Sequence, residues 1–173
     1  MKNGIILSLF AVILHSCSPS NETLMSESQL GQLQSSDSIQ NAATVFSTDS
    51  VAYERISTGE LVGITVFNKE QKRRLQLKAN LDQRIEVVQV FDSLYKTQKG
   101  IGVGKTVGDL KKVYTIDQVV PSIRSISIYV KESPLLFLFD RSELPESLKY
   151  NFDPIDPVQL PAEAVINQVI ISW

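Results

Sequence analysis

The sequence predicts an α+β domain: a curved antiparallel sheet of about six strands, a meander, with one or two short helices packed on one face. Three observations carry that prediction. Apolar residues recur at the two-residue period of strands through most of the chain beyond residue 60. Short polar turns separate these runs, whereas a parallel pair would need a longer crossover. One segment, residues 106–114, has capped helical spacing instead.

The strands follow in order. Residues 61–67 (LVGITVF) are apolar on both faces and rich in β-branched side chains, as in a covered strand. Residues 74–78 (RLQLK) alternate strictly, and residues 84–91 (RIEVVQVF) follow after the polar turn 80–83. In residues 122–131, Ile126, Ile128 and Val130 share one face. Residues 135–139 (LLFLF) form a buried run, and residues 166–173 close the chain as a last strand. In the helix, Thr106 is the N-cap and Asp109 completes a capping box near the positive end of the dipole. Val107, Leu110 and Tyr114 form its apolar stripe, and Ser142 is expected to cap a second short helix over residues 142–148. No internal repeat of fixed period is visible.

Composition narrows the function. The 173 residues are 43% apolar and carry a net charge of −2, so nothing draws the chain to nucleic acid. One Cys and one His exclude a disulfide framework and a Cys/His zinc cluster within the chain. Residues 5–14 (IILSLFAVIL) form an apolar core of ten residues after Lys2. As a helix they rise about 15 Å, half of a bilayer's hydrocarbon, which is a signal-peptide core and not a span.

That segment ends Leu14-His15-Ser16-Cys17 and resembles the lipobox of bacterial lipoproteins, with His15 where that family has a small residue. The resemblance implies a signal peptide over residues 1–16, cleavage before Cys17 and acylation of Cys17. It further implies secretion across the inner membrane and lipid anchorage, by analogy in the outer membrane, on its periplasmic face or at the cell surface. Two other readings stay open. Ser16-Cys17-Ser18 also suits an ordinary signal peptidase, which would release the protein, and the segment could persist as an uncleaved anchor.

Residues 17–50 are expected to be a lipid-anchored flexible tether. Between Ser18 and Ser50 there are nine Ser, three Thr, two Asn and four Gln, and no Lys or Arg. Such a stretch buries too little apolar surface to offset its ordering entropy. A weak helix over residues 27–39 is the alternative. Residues 51–173 then form one domain with a net charge of +1.

Residues 99–106 (KGIGVGKT) come close to a phosphate-binding loop. Gly104-Lys105-Thr106 and a following helix are present, but Lys99 stands where the first Gly belongs. The expectation is structural: Gly100, Gly102 and Gly104 supply positive φ or close packing, Thr106 caps the helix, and Asp109 completes the cap. The run GIGVGKTVGDLKKVY, through Gly104, Thr106 and Leu110, resembles a loop-helix of small envelope lipoproteins. These include the small lipoprotein of the outer-membrane β-barrel assembly machine and uncharacterised lipoproteins of the Bacteroidota. Residues 160–172 (LPAEAVINQVIIS) resemble the closing strand of some of those domains. The resemblance implies an α+β envelope domain without known catalysis.

Other constellations read as structure. Asn151, Asp153 and Asp156 lie among prolines and suit turns better than calcium. Lys69, Lys72, Arg73 and Arg74 form a basic cluster at a turn, a solvated edge or a contact for anionic lipid. No catalytic residue, cofactor or metal is expected. The function expected is a membrane-anchored, non-catalytic binding or scaffolding module with another envelope protein as partner. A small-ligand binder for lipid, glycan or peptide is the alternative, and a periplasmic enzyme the third reading.

Overall fold

The computed structural model describes residues 22–173; the signal segment 1–16 and Cys17 lie outside the described residues. The domain is α+β, and among the described residues its main sheet has eight antiparallel strands rather than about six, beside a small two-stranded sheet. β1 (Gln29–Leu30) and β2 (Leu33–Gln34) make that small hairpin around Gly31, whose φ of +57 lies in the left-handed region. Helix α1 (Ile39–Val45) follows, capped by the Ser38 side chain.

Four strands then run as a meander: β3 (Ser50–Arg55), β4 (Leu61–Phe67), β5 (Arg73–Ala79) and β6 (Ile85–Val90). Helix α2 (Val107–Val113) leads into a second meander: β7 (Ile116–Pro121), β8 (Ser125–Val130), β9 (Ser133–Asp140) and β10 (Ile166–Ser172). The last strands of the two meanders, β6 and β10, pair antiparallel, giving the order β3-β4-β5-β6-β10-β9-β8-β7.

The two halves repeat one plan, helix then four-strand meander, despite the lack of a repeat in the sequence. Each N-cap, Ser38 and Thr106, bridges the residue just before the last strand of its own half, Arg84 and Val165. Ile39 N–H donates to the Gln83 carbonyl, and Val107 N–H donates to that of Ala164. Ile85 N–H donates to Asp37, and Ile166 N–H donates to Lys105. Across the central pairing, Val90 faces Val169, Gln89 faces Ile170 and Val88 faces Ile171. Exchanging the halves turns the first pair into the third and returns the middle pair to itself. A pseudo-two-fold axis therefore passes through the Gln89/Ile170 pair.

The halves differ most in one connection. Residues 80–84 join β5 to β6 as a tight turn, whereas residues 141–165 join β9 to β10. Ser142 does not cap a helix there. A 3-10 turn (Arg141–Glu143) is capped instead by Asp140, which accepts from Ser142 N–H, and Pro145 stands close after it.

The expected tether over residues 17–50 needs correction for its described part, residues 22–50, which is folded. Met25, Leu30, Leu33, Ile39, Ala42 and Phe46 are all buried in the single core cluster. Met25 N–H donates to the Lys96 carbonyl and Lys96 N–H to that of Thr23, fixing the segment to the domain. α1 packs on β4 and β5, so Gln40, Asn41 and Thr44 face water while Ile39 and Ala42 are buried. The helix begins where the weak alternative, residues 27–39, would have ended.

Candidate functional site

The glycine-rich loop is a structural turn that enters α2. Gly100 and Gly104 have φ of +77 and +85, and a Cβ on Gly102 would sit 2.2 Å from the Tyr95 carbonyl oxygen. The backbone donors leading into the helix, which would cradle a phosphate, are engaged within the fold. Gly104 N–H donates to Ile166, Lys105 to Gly102, Val107 to Ala164 and Gly108 to Ala162. Asp109 N–H donates to Thr106 Oγ1 at 3.1 Å, and Thr106 N–H returns to the Asp109 carboxylate at 3.4 Å. Lys99, at the position of the missing first Gly, donates to the Val113 carbonyl and lies 4.3 Å over the Tyr114 ring. It closes the negative end of α2.

Three of the four cations at the β4–β5 turn, all but Lys69, are engaged within the chain. Lys72 pairs with Glu70, and Arg73 stacks 4.1 Å over Phe91. Arg74 bridges Asp92 at 2.6 Å and Asp49 at 3.2 Å. Burial works against the Arg74 charge, but the Asp92 hydrogen bond and the neighbouring Tyr95 and Asp49 hold its pKa above the ordinary value. Burial likewise pushes the Tyr95 hydroxyl up. Asn151 Oδ1 accepts from Asp153 N–H, and Asp156 Oδ1 accepts from Val158 N–H, each closing its own turn. Among the described residues no group of three His, Cys, Asp or Glu is placed to hold a metal.

The long β9–β10 connection builds a cleft of about 450 Å³ against the β7–β8 turn. Its apolar wall is Ile123, Tyr150 and Phe152, which are 80%, 82% and 63% exposed. Scattered exposed apolar residues are ordinary; three converging on one hollow are not. Arg124, Arg141 and Lys149 line it as well, against the single carboxylate of Asp140. Asp140 accepts hydrogen bonds from Ser142, which hold its carboxyl below the usual range.

Arg141 holds the cleft together. Only 7% exposed, it donates to the carbonyls of Lys149, Ser122 and Asn151 and stacks 4.2 Å beneath Phe152. One side chain thus ties the turn to the connection and positions an aromatic wall. Arg124 is different: exposed at the rim, its guanidinium makes no hydrogen bond or ion pair among the described residues. The equivalent hollow of the first half, between residues 56–60 and 80–84, is lined by Ile56, Leu81, Glu60, Asp82 and Glu86. No Lys or Arg lines it among the described residues, so the two hollows are opposite in sign.

The sequence nominated none of these cleft residues as a site. The available signal was Tyr150 and Phe152 in a proline-broken stretch, aromatic side chains with no strand or helix period to bury them.

The fold is a duplicated α+β domain whose two halves carry equivalent hollows of opposite charge. No family model matches the chain, and no curated protein matches it. Among solved structures, it is similar in fold to the uncharacterized protein yfeY of Escherichia coli. The TM-score is 0.63 at 19% identity, over 87% of this chain and 100% of that one.

Proposed function

We propose that the chain is a bacterial lipoprotein, acylated at Cys17, whose domain acts as a non-catalytic binding module of the envelope with the Ile123/Tyr150/Phe152 cleft as its binding surface. The observation that carries the binding reading is that preformed cleft, rigid through Arg141 and apolar where water would otherwise be expected. The lipobox resemblance carries the anchor. The outer membrane, on either face, is the location that follows from it. In this reading the sheet is curved, which suits the register shifts in six of its strand pairings.

The anchored arrangement has a direction. Leu24 and Met25 share a hollow with Glu132 and Ser133, so the chain joins the domain at the β8–β9 turn. The cleft opens at the β7–β8 turn, the other end of the six-residue strand β8, about 20 Å away. Thr23 lies six residue steps beyond Cys17, a reach of at most about 21 Å. A short leash at one end of the sheet would hold the cleft facing away from the bilayer, at high local concentration for partners there.

Intact mass and membrane fractionation of the native protein beside Cys17→Ala test the anchor. The expected wild type begins at Cys17, carries the mass of its acyl chains and sediments with membranes, while the variant does not mature. A wild type that keeps Met1 and stays in the cytosol would overturn the reading.

A further inference from the structure

Deepening the binding-module reading, and resting on it, we propose that the cleft takes a free amphiphilic anion: a compact acyl or ring-bearing body carrying one phosphate or carboxylate. A volume of about 450 Å³ lies in the range of small-molecule sites and is small for a broad protein contact. Ile123, Tyr150 and Phe152 give the apolar body a wall on which each side chain is already exposed, so binding removes apolar surface from water without opening the core.

The charge comes from three groups in different states. Arg141 is fixed to carbonyl oxygens and forms no ion pair among the described residues, so its positive charge remains at the floor of the cleft. Lys149 is shared with Glu146, an exposed carboxylate that solvent also reaches. Arg124 stands unpaired at the rim with a full fork of donors, suited to a phosphate or carboxylate. Asp140, the one acid in the lining, is engaged by Ser142 N–H at 2.8 Å.

The molecule contains its own comparison. The pseudo-symmetric hollow of the first half has nearly the same volume, about 480 Å³, with Glu60, Asp82 and Glu86 in place of cations and Leu81 in place of aromatics. Architecture is common to both; the anion preference belongs to the second hollow alone. The ligand is a free monomer and not a bilayer headgroup, because the cleft lies at the end of the sheet away from residues 22–25, where the anchor would hold the domain.

Calorimetric titration of residues 18–173, which hold every described residue, decides the matter with decyl phosphate kept below its micellar concentration. Decyl phosphate is expected to bind saturably at one site, more tightly than decanol or inorganic phosphate. Arg124→Glu should weaken it about tenfold or more while leaving decanol unchanged. Tyr150→Ser with Phe152→Ser should weaken both, and Leu81→Ser in the acidic hollow should change neither. Matching urea transitions confirm that each variant is folded. Binding unchanged in Arg124→Glu, inorganic phosphate binding as tightly as decyl phosphate, or no saturable binding would overturn the proposal. So would attachment only to anionic vesicles, or tighter binding of an acidic apolar peptide. Any of these leaves the acylated anchor standing, because that is read from mass and fractionation.

Discussion

Thr106 and Asp109 illustrate how much a single pair of residues determines locally. The Lys112 hydrogen bond, then the Thr106 backbone N–H, hold the Asp109 carboxyl below the usual carboxylate range. A depressed folded pKa stabilises the fold above the unfolded value near about 4, and that contribution is lost as pH falls through the folded pKa. Asp109→Asn is therefore expected to be less stable than wild type at neutral pH, with the gap closing as the medium is acidified below about pH 4. Urea unfolding across pH measures it, and a gap constant with pH would contradict the assignment. Arg141→Met keeps a long side chain but leaves the Ser122, Lys149 and Asn151 carbonyls without their donor. A loss of at least about 2 kcal/mol is expected in the same assay, because three hydrogen bonds from a charged donor are lost together.

At the scale of elements, the loop before α2 separates two uses of glycine. At Gly100 a Cβ would meet nothing within 4 Å, so only its φ of +77 resists substitution. At Gly102 the Cβ would strike the Tyr95 carbonyl oxygen, so backbone must move. Gly100→Ala is expected to cost about 1 kcal/mol and Gly102→Ala about 3 kcal/mol or more, read from urea midpoints at constant slope. Equal losses would mean that conformation, not contact, governs the loop. The strands differ in legibility for a related reason. Those flanked by a strand on both sides, such as β4 and β9, carry apolar runs that read directly. The two edge strands do not. β3 (SVAYER) has no fully buried residue, and β7 ends in Pro121, so neither needs the alternation that marks a strand.

The whole molecule depends on residues that composition assigned to a tether. Met25, Leu30, Leu33, Ile39, Ala42 and Phe46 belong to the one core, and each large side chain among them contributes about 1.5 kcal/mol or more on burial. Their sum is comparable to the entire stability of an ordinary domain, about 5–15 kcal/mol. A chain limited to residues 51–173 is therefore expected to lack a cooperative urea transition, whereas residues 18–173 should unfold in one. A cooperative transition in the shorter chain would show that the N-terminal segment merely rests on a self-sufficient sheet.

By itself the sequence determined the α+β class, the capped helix α2 and the strands of the sheet interior. Each of these is written in local order: a period, a cap, or an apolar run between turns. Only the tertiary structure decided the edge strands, the folding of residues 22–50, the duplication about Gln89 and Ile170, and the cleft. Short elements such as α1 bury only two side chains, Ile39 and Ala42, against strands later in the chain, so no local pattern announces them. The cleft needs still more. Ile123 and Arg124 meet Tyr150 and Phe152 only because β9 carries the chain back past β8 and Arg141 ties the returning connection to the turn.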